Sequence, residues 1–187
     1  MEYVTAEDGV KLAYDVTGEG VPLLCLPGLT RNMDDFEPVV DAFSDRAQVI
    51  RMDFRGRGAS DFADPVTYQV PQEAKDVVTL LDHLGIGRAV ILGTSRGGIV
   101  AMMLALTAKD RLAGVILNDI GPDIMAEGLA GIMQYIGRPP AFRTLAEAAE
   151  AFPSVYGDSF RGVPAETWAE FARRIYREEG GKLHLRY

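Results

Sequence analysis

Three short apolar runs, Val21 to Leu26, Ala89 to Leu92 and Val115 to Leu117, together with the mixed run Gln48 to Met52, alternate with stretches whose apolar residues recur at helical spacing. A run that is apolar throughout has no side to give to water, so it predicts a strand buried on both faces. Such strands, joined by crossover helices, make a mostly parallel sheet between helical layers, an α/β fold.

The remaining elements follow from the same patterns. Tyr3 to Ala6 and Val10 to Val16 flank Asp8-Gly9, a strong turn dipeptide, and predict an antiparallel N-terminal hairpin. Phe36, Val39, Val40 and Phe43 share one helical face, as do Ala74, Val77, Val78, Leu81 and Leu84, with Gly85 and Gly87 ending the second helix. Asp53-Phe54-Arg55-Gly56-Arg57-Gly58 reads as a glycine-rich loop, and Ile99 to Leu106 as an apolar helix. From about Gly121 the character changes. Ile132, Tyr135, Phe142, Phe152, Tyr156, Phe160, Trp168, Phe171 and Tyr176 fall mostly in helical patterns broken by Pro139-Pro140, Gly157 and Pro164, and no strand is readable there. The expected organisation is a core over residues 1–122 and a helical cap or lid over 123–187.

With 48% hydrophobic and 25% charged residues in 187, the chain has ample material for a core. A net charge of -8 argues against nucleic acid or an anionic membrane as the main partner, leaving a small molecule. The start of the chain lacks the basic and apolar regions of a signal peptide, and no apolar run is long enough to span a bilayer, so a cytoplasmic location is expected. Cys25, the single cysteine, lies within an apolar run and reads as a small hydrophobe. No cluster of metal ligands is visible, and no cofactor is expected.

Gly93-Thr94-Ser95-Arg96-Gly97 matches G-x-S-x-G, the pattern of a sharp turn that lifts a serine hydroxyl above a sheet. The match gains weight from its setting, since an apolar strand enters it and an apolar helix leaves it. Gly93 and Gly97 let strand and helix approach where a Cβ would clash. The first amides of a helix have no intrahelical partner, which makes the Arg96 N–H a candidate donor to developing negative charge. A second donor should come from the loop after Val21 to Leu26, which leaves the same edge of the sheet, and the Leu29 N–H is the candidate. Ligands of open α/β sheets bind at that edge, outside the strands' carboxyl ends.

The order Leu26-Pro27-Gly28-Leu29, then Asp53 to Ser60, then Gly93 to Gly97, resembles the α/β-hydrolase superfamily in its serine-nucleophile branch, over roughly residues 1 to 122. The resemblance implies an α/β-hydrolase fold with a helical cap, Ser95 as nucleophile and an oxyanion hole from Leu29 and Arg96. It disfavours the branches with an aspartate nucleophile, such as epoxide hydrolases and haloalkane dehalogenases. This chain has Pro27-Gly28 where the family usually has His-Gly. The family's acid and histidine usually follow later strands, so the expectation is a member whose C-terminal strands, and the catalytic histidine with them, are missing.

Neither histidine present is well placed to serve as the base. Five strand residues, Arg88 to Leu92, put His83 roughly 16 Å from Ser95 at ~3.3 Å each, and His184 stands three residues from the last residue given. Asp119 ends the strand beside the elbow and has two readings, an acid that orients a histidine or a cap of its own loop through Asn118 and Gly121. Asp53 and Arg55 read as loop-shaping residues.

Two functions are carried forward. One is a serine hydrolase acting on an ester, lactone or related acyl bond of a small apolar substrate. The other is an inactive truncated fragment or binding module of the same fold, whose Val115 to Leu117 strand would be an exposed edge open to self-association. A dinucleotide-binding domain is disfavoured, because no G-x-G-x-x-G opens an early helix.

Overall fold

The computed structural model describes residues 1–124, 133, 136–156 and 160–186. The chain divides into two compact units, Met1–Ala126 and Glu127–Tyr187. The first is an α/β sheet unit with six strands in the order β1-β2-β4-β3-β5-β6. Strands β1 (Glu2–Thr5) and β2 (Lys11–Thr17) form the antiparallel hairpin, and β2 also runs antiparallel to β4 (Ala47–Met52). From β4 onward the sheet is parallel, through β3 (Val21–Leu26), β5 (Ala89–Thr94) and β6 (Leu112–Asn118).

Alternation along β3 divides its side chains between two apolar layers. Leu24 and Leu26 pack with Val77, Leu80 and Leu81 of α2 (Val70–His83) and Val100, Ala101 and Leu104 of α3 (Arg96–Thr107). Leu23 and Cys25 join Phe36 and Val49 in the other layer, with Val39 and Val40 of α1 (Glu37–Phe43) against them. Leu23 to Leu26 are therefore buried on both faces, as an apolar run requires, whereas Val21 at the start of the strand is exposed and departs from that expectation. In this position burial pushes the Cys25 thiol up to about 12, which leaves it an un-ionised core group.

All four parallel strands end at one edge of the sheet, at Leu26, Met52, Thr94 and Asn118. At the side of the sheet, β6 pairs with β5 alone among the described residues, and Val115, Ile116 and Leu117 are exposed, which corrects the expectation that this run is buried on both faces.

The second unit contains α4 (Leu145–Tyr156) and α5 (Ala165–Ile175). Phe142, Phe152, Trp168, Phe171 and Tyr176 pack there as one aromatic core, with Phe152 and Phe171 centroids 5.4 Å apart. The expectation that no strand follows Gly121 is corrected. Tyr176–Glu179 (β7) and Lys182–Leu185 (β8) form an antiparallel hairpin. Its turn is Gly180-Gly181, both at positive φ (60° and 72°), the two-residue geometry that matches the twist of paired strands. Ile132, Tyr135 and Gly157, read above as part of the helical pattern, lie outside the described residues. No helix among the described residues is long and apolar enough to cross a membrane.

Candidate active site

Ser95 stands between β5 and α3, at φ 49° and ψ -111°. A positive φ on a non-glycine residue costs about 1 to 3 kcal/mol and persists only where the surroundings impose it. They do so here from both sides. The Ser95 N–H donates to the Asn118 carbonyl at 2.9 Å, while its own carbonyl accepts from the Gly98 and Ile99 amides at 2.9 and 3.2 Å. The residue is half-buried, and its hydroxyl makes no hydrogen bond among the described residues.

The glycines around Ser95 are demanded by contact distances. A Cβ on Gly93 would lie 2.5 Å from the Gly97 main chain, and one on Gly97 would lie 2.2 Å from the Leu26 carbonyl oxygen. Helix α3 therefore starts in direct backbone contact with β3 and β5, which aims its first amides over the sheet edge. Among the described residues the Arg96 N–H donates to no group. Asn118 Nδ2 donates to Thr94 Oγ1 at 3.2 Å, tying the ends of β5 and β6 together.

The loop after β3 comes to the same place. A Cβ on Gly28 would lie 3.7 Å from the Ser95 Cβ. Leu29 follows, 37% exposed, and Thr30 takes φ 63°. The loop is held from below by Asp53, which is buried: Oδ1 accepts from the Met33 N–H at 2.7 Å and Oδ2 from the Ala59 N–H at 2.9 Å. A single carboxylate thus fixes both the loop after β3 and the glycine-rich loop after β4. Arg55 is fully buried and bonded twice to Asp76 at 2.7 Å, with a further bond to Asp8 at 2.7 Å. The loop-shaping reading of both residues matches these contacts.

Asp119 adopts φ 54°, one residue beyond the Asn118 carbonyl that holds Ser95. Its carboxylate is exposed and makes no hydrogen bond among the described residues, so the expected loop cap through Asn118 and Gly121 does not form. His83 sits at the end of α2, with Nε2 3.1 Å from the Tyr14 hydroxyl. His184 is exposed on β8, paired with Arg177. The described residues contain no group of three or more His, Cys, Asp or Glu able to hold a metal ion.

Glu73 escaped the sequence reading. This residue of α2 is only 3% exposed, and its carboxylate accepts from Arg96 Nε at 2.9 and 3.1 Å. Loss of hydration pushes its pKa up, and the Arg96 guanidinium opposes that rise. The available signal was its spacing, four residues before Val77 and seven before Leu80, which puts a charge on the apolar face of the helix.

Residues 21–171 match the family model of the alpha/beta hydrolase fold. Over 160 residues the chain is 34% identical to a 3-hydroxybutyrate-oligomer hydrolase of Cupriavidus necator, an alignment covering 85% of this chain and 54% of that protein. Over 164 residues it is 31% identical to a 2-(acetamidomethylene)succinate hydrolase of Mesorhizobium japonicum, covering 87% and 55%. Among solved structures, an alpha/beta hydrolase from Novosphingobium aromaticivorans superposes with TM-score 0.91 at 39% identity, over 100% of this chain and 67% of that one. The chain spans about half the length of these two curated relatives.

Proposed function

The chain belongs to the alpha/beta hydrolase fold family, and on that premise we propose that it is the Ser95-bearing part of a serine hydrolase that cleaves an ester, lactone or related acyl bond in a small apolar substrate. The observation that carries this reading is the backbone of Ser95. The strained φ is imposed from two strands and a helix, and the residue so held keeps a hydroxyl without a partner among the described residues. Strain of this kind collects at sites of chemistry.

In the proposed reaction Ser95 Oγ attacks the acyl carbonyl carbon while its proton passes to a base. The carbonyl oxygen gains charge and is met by the Arg96 and Leu29 amides, whose combined donation is worth most in the tetrahedral intermediate. Collapse of that intermediate expels the leaving group, which takes the proton from the base; water then gives a proton to the base as it attacks the acyl carbon, and the serine regains that proton as the acid departs. Asp119, whose exposed carboxylate makes no hydrogen bond among the described residues at the end of β6, is the proposed acid that orients the base. His83 is not that base, because the length of β5 lies between the end of α2 and Ser95, and Tyr14 holds its ring. The exposed apolar side chain of Leu29, on the loop beside Ser95, favours an uncharged acyl group.

The test is labelling with a fluorophosphonate probe, followed by peptide mapping, on the 187-residue chain and on the whole gene product. Label on Ser95, absent in Ser95→Ala and stronger in the whole product, is expected. Absence of label from the whole product, or equal label in Ser95→Ala, refutes the reading.

A further inference from the structure

We propose, building on the hydrolase reading above, that Glu73 is a positioning residue that aims the Arg96 amide at the reacting oxygen. The peptide unit between Ser95 and Arg96 joins the strained serine to the candidate oxyanion donor. Its carbonyl and its N–H lie in one plane, so whatever turns the carbonyl turns the oxyanion donor. At the Ser95 end the carbonyl is held by the Gly98 and Ile99 amides. These bonds lie within the first turn of α3 and move with it. The strain at Ser95 would be relieved by swinging that turn away from the sheet edge.

The Arg96 side chain opposes the swing. Its guanidinium makes four bonds to neighbouring elements: Nε to both Glu73 carboxylate oxygens at 2.9 and 3.1 Å, Nη2 to Glu73 Oε1 at 3.0 Å, and Nη2 to the Tyr68 carbonyl at 3.0 Å. A planar fork bound on two edges fixes direction as well as distance. Its anchors are themselves held. Glu73 lies on the buried face of α2, and the Tyr68 hydroxyl accepts from the Ala63 N–H at 3.0 Å. A Cβ on Gly56 would lie 2.5 Å from that same phenol. Through Arg96, the start of α3 is therefore braced against α2 and the segment leading into it.

Stability alone does not account for the pair. Removing a carboxylate from water is costly, and a buried ion pair is often no more stable than an apolar pair of similar volume. A bidentate pair placed on the residue after the strained serine supplies an orientation that an apolar contact would not.

The experiment uses the whole gene product and a p-nitrophenyl ester, with kcat, KM and thermal midpoint measured for wild type, Ser95→Ala, Glu73→Ala, Glu73→Gln, Arg96→Ala and the double variant Glu73→Ala/Arg96→Ala. Loss of an oxyanion donor costs about 10²- to 10³-fold in kcat, so loss of its aim is expected to cost roughly 10- to 100-fold. Glu73→Ala should show that fall with KM changed by less than about threefold, since the donor acts mainly in the transition state. Glu73→Gln, which keeps one acceptor for the fork, should lose less, about threefold to tenfold in kcat. The double variant should be no slower than the slower single variant. If Glu73→Ala does not fold, Glu73→Gln decides, with kcat about threefold to tenfold down and KM unchanged. A lower thermal midpoint with wild-type kcat, or a rise confined to KM, overturns the proposal. A wild type that does not hydrolyse ester, or ester hydrolysis that persists in Ser95→Ala, overturns the hydrolase reading itself, and the positioning role falls with it.

Discussion

Replacing Gly97 by alanine should destabilise the protein, although helix propensity alone predicts the opposite. Gly97 is the second residue of α3, where alanine is favoured over glycine by about 1 kcal/mol. Against this, the new Cβ would lie 2.2 Å from the Leu26 oxygen, 2.7 Å from its carbonyl carbon and 2.8 Å from its Cβ. Ordinary contact would require a separation larger by about 1 Å. Leu26 cannot supply that shift, because β3 is fully buried there and paired with β4 on one side and β5 on the other. Helix α3 has to move instead, and overpacking of this kind costs typically 1 to 3 kcal/mol. With main chain as the obstacle the cost belongs at the upper end, a net loss of about 2 kcal/mol after the propensity gain, or about 4 to 8 °C in Tm for a chain of this size. The same shift carries the Arg96 amide by about 1 Å, enough to cost about 10²-fold in turnover. Gly87→Ala is the control. Its Cβ meets nothing within 4 Å, and stability should change by less than about 0.5 kcal/mol. Urea unfolding followed by far-ultraviolet circular dichroism is the assay, because the single tryptophan, Trp168, belongs to the other unit. A Gly97→Ala protein as stable as Gly87→Ala, with turnover intact, would refute the claim that backbone approach at the elbow requires glycine.

Two further outcomes follow from the buried charges. Asp76→Ala leaves the fully buried Arg55 guanidinium with the carboxylate of Asp8 and should cost about 3 to 5 kcal/mol in urea unfolding, whereas Arg55→Met/Asp76→Leu should lie within about 1 kcal/mol of wild type; equal losses in both would show that the charge itself stabilises the fold. The hydrogen bond from Arg55 holds the Asp8 carboxyl below its ordinary value of 3.8, and that from Arg51 does the same for Asp15. A depressed folded pKa gives stability that is complete well above pH 3.8 and drains away as the pH falls through the folded value, so the urea midpoint should drop as the pH is taken below 3.8. Asp8→Asn should flatten that decline, with wild type and variant converging at the acid end; parallel curves would remove Asp8 from the acid sensitivity. Glu73 works in the opposite sense, since its raised pKa gives a contribution that is complete below its ordinary value of 4.5 and lost as the pH rises through the folded one.

The contrast between what the sequence disclosed and what it hid lies in the range over which each constraint acts. The elbow was legible because its requirements sit within a few residues: Gly93 and Gly97 flank Ser95, an apolar strand enters and an apolar helix leaves. The parallel sheet was legible because the runs Val21 to Leu26 and Ala89 to Leu92 are apolar throughout, and Leu23 to Leu26, Ala89 and Ile91 are buried. The buried charges were not, because a charge inside a protein is explained only by a partner that the local pattern does not name. Glu73 meets Arg96 23 residues later and Arg55 meets Asp76 21 residues later. Read alone, each is a polar residue in a helix or loop. The free carboxylate of Asp119 was hidden for the converse reason, since Asn118 and Gly121 beside it suggest a self-contained turn that does not form. The β7–β8 hairpin did carry a signal in Gly180-Gly181, but Arg177, Glu178 and Glu179 leave one flank without the apolar alternation that marks a strand. Local pattern therefore locates the turn that carries Ser95, while the aim of the groups around it is set by contacts across the fold, and it is there that substitution of Glu73 should alter rate out of proportion to stability.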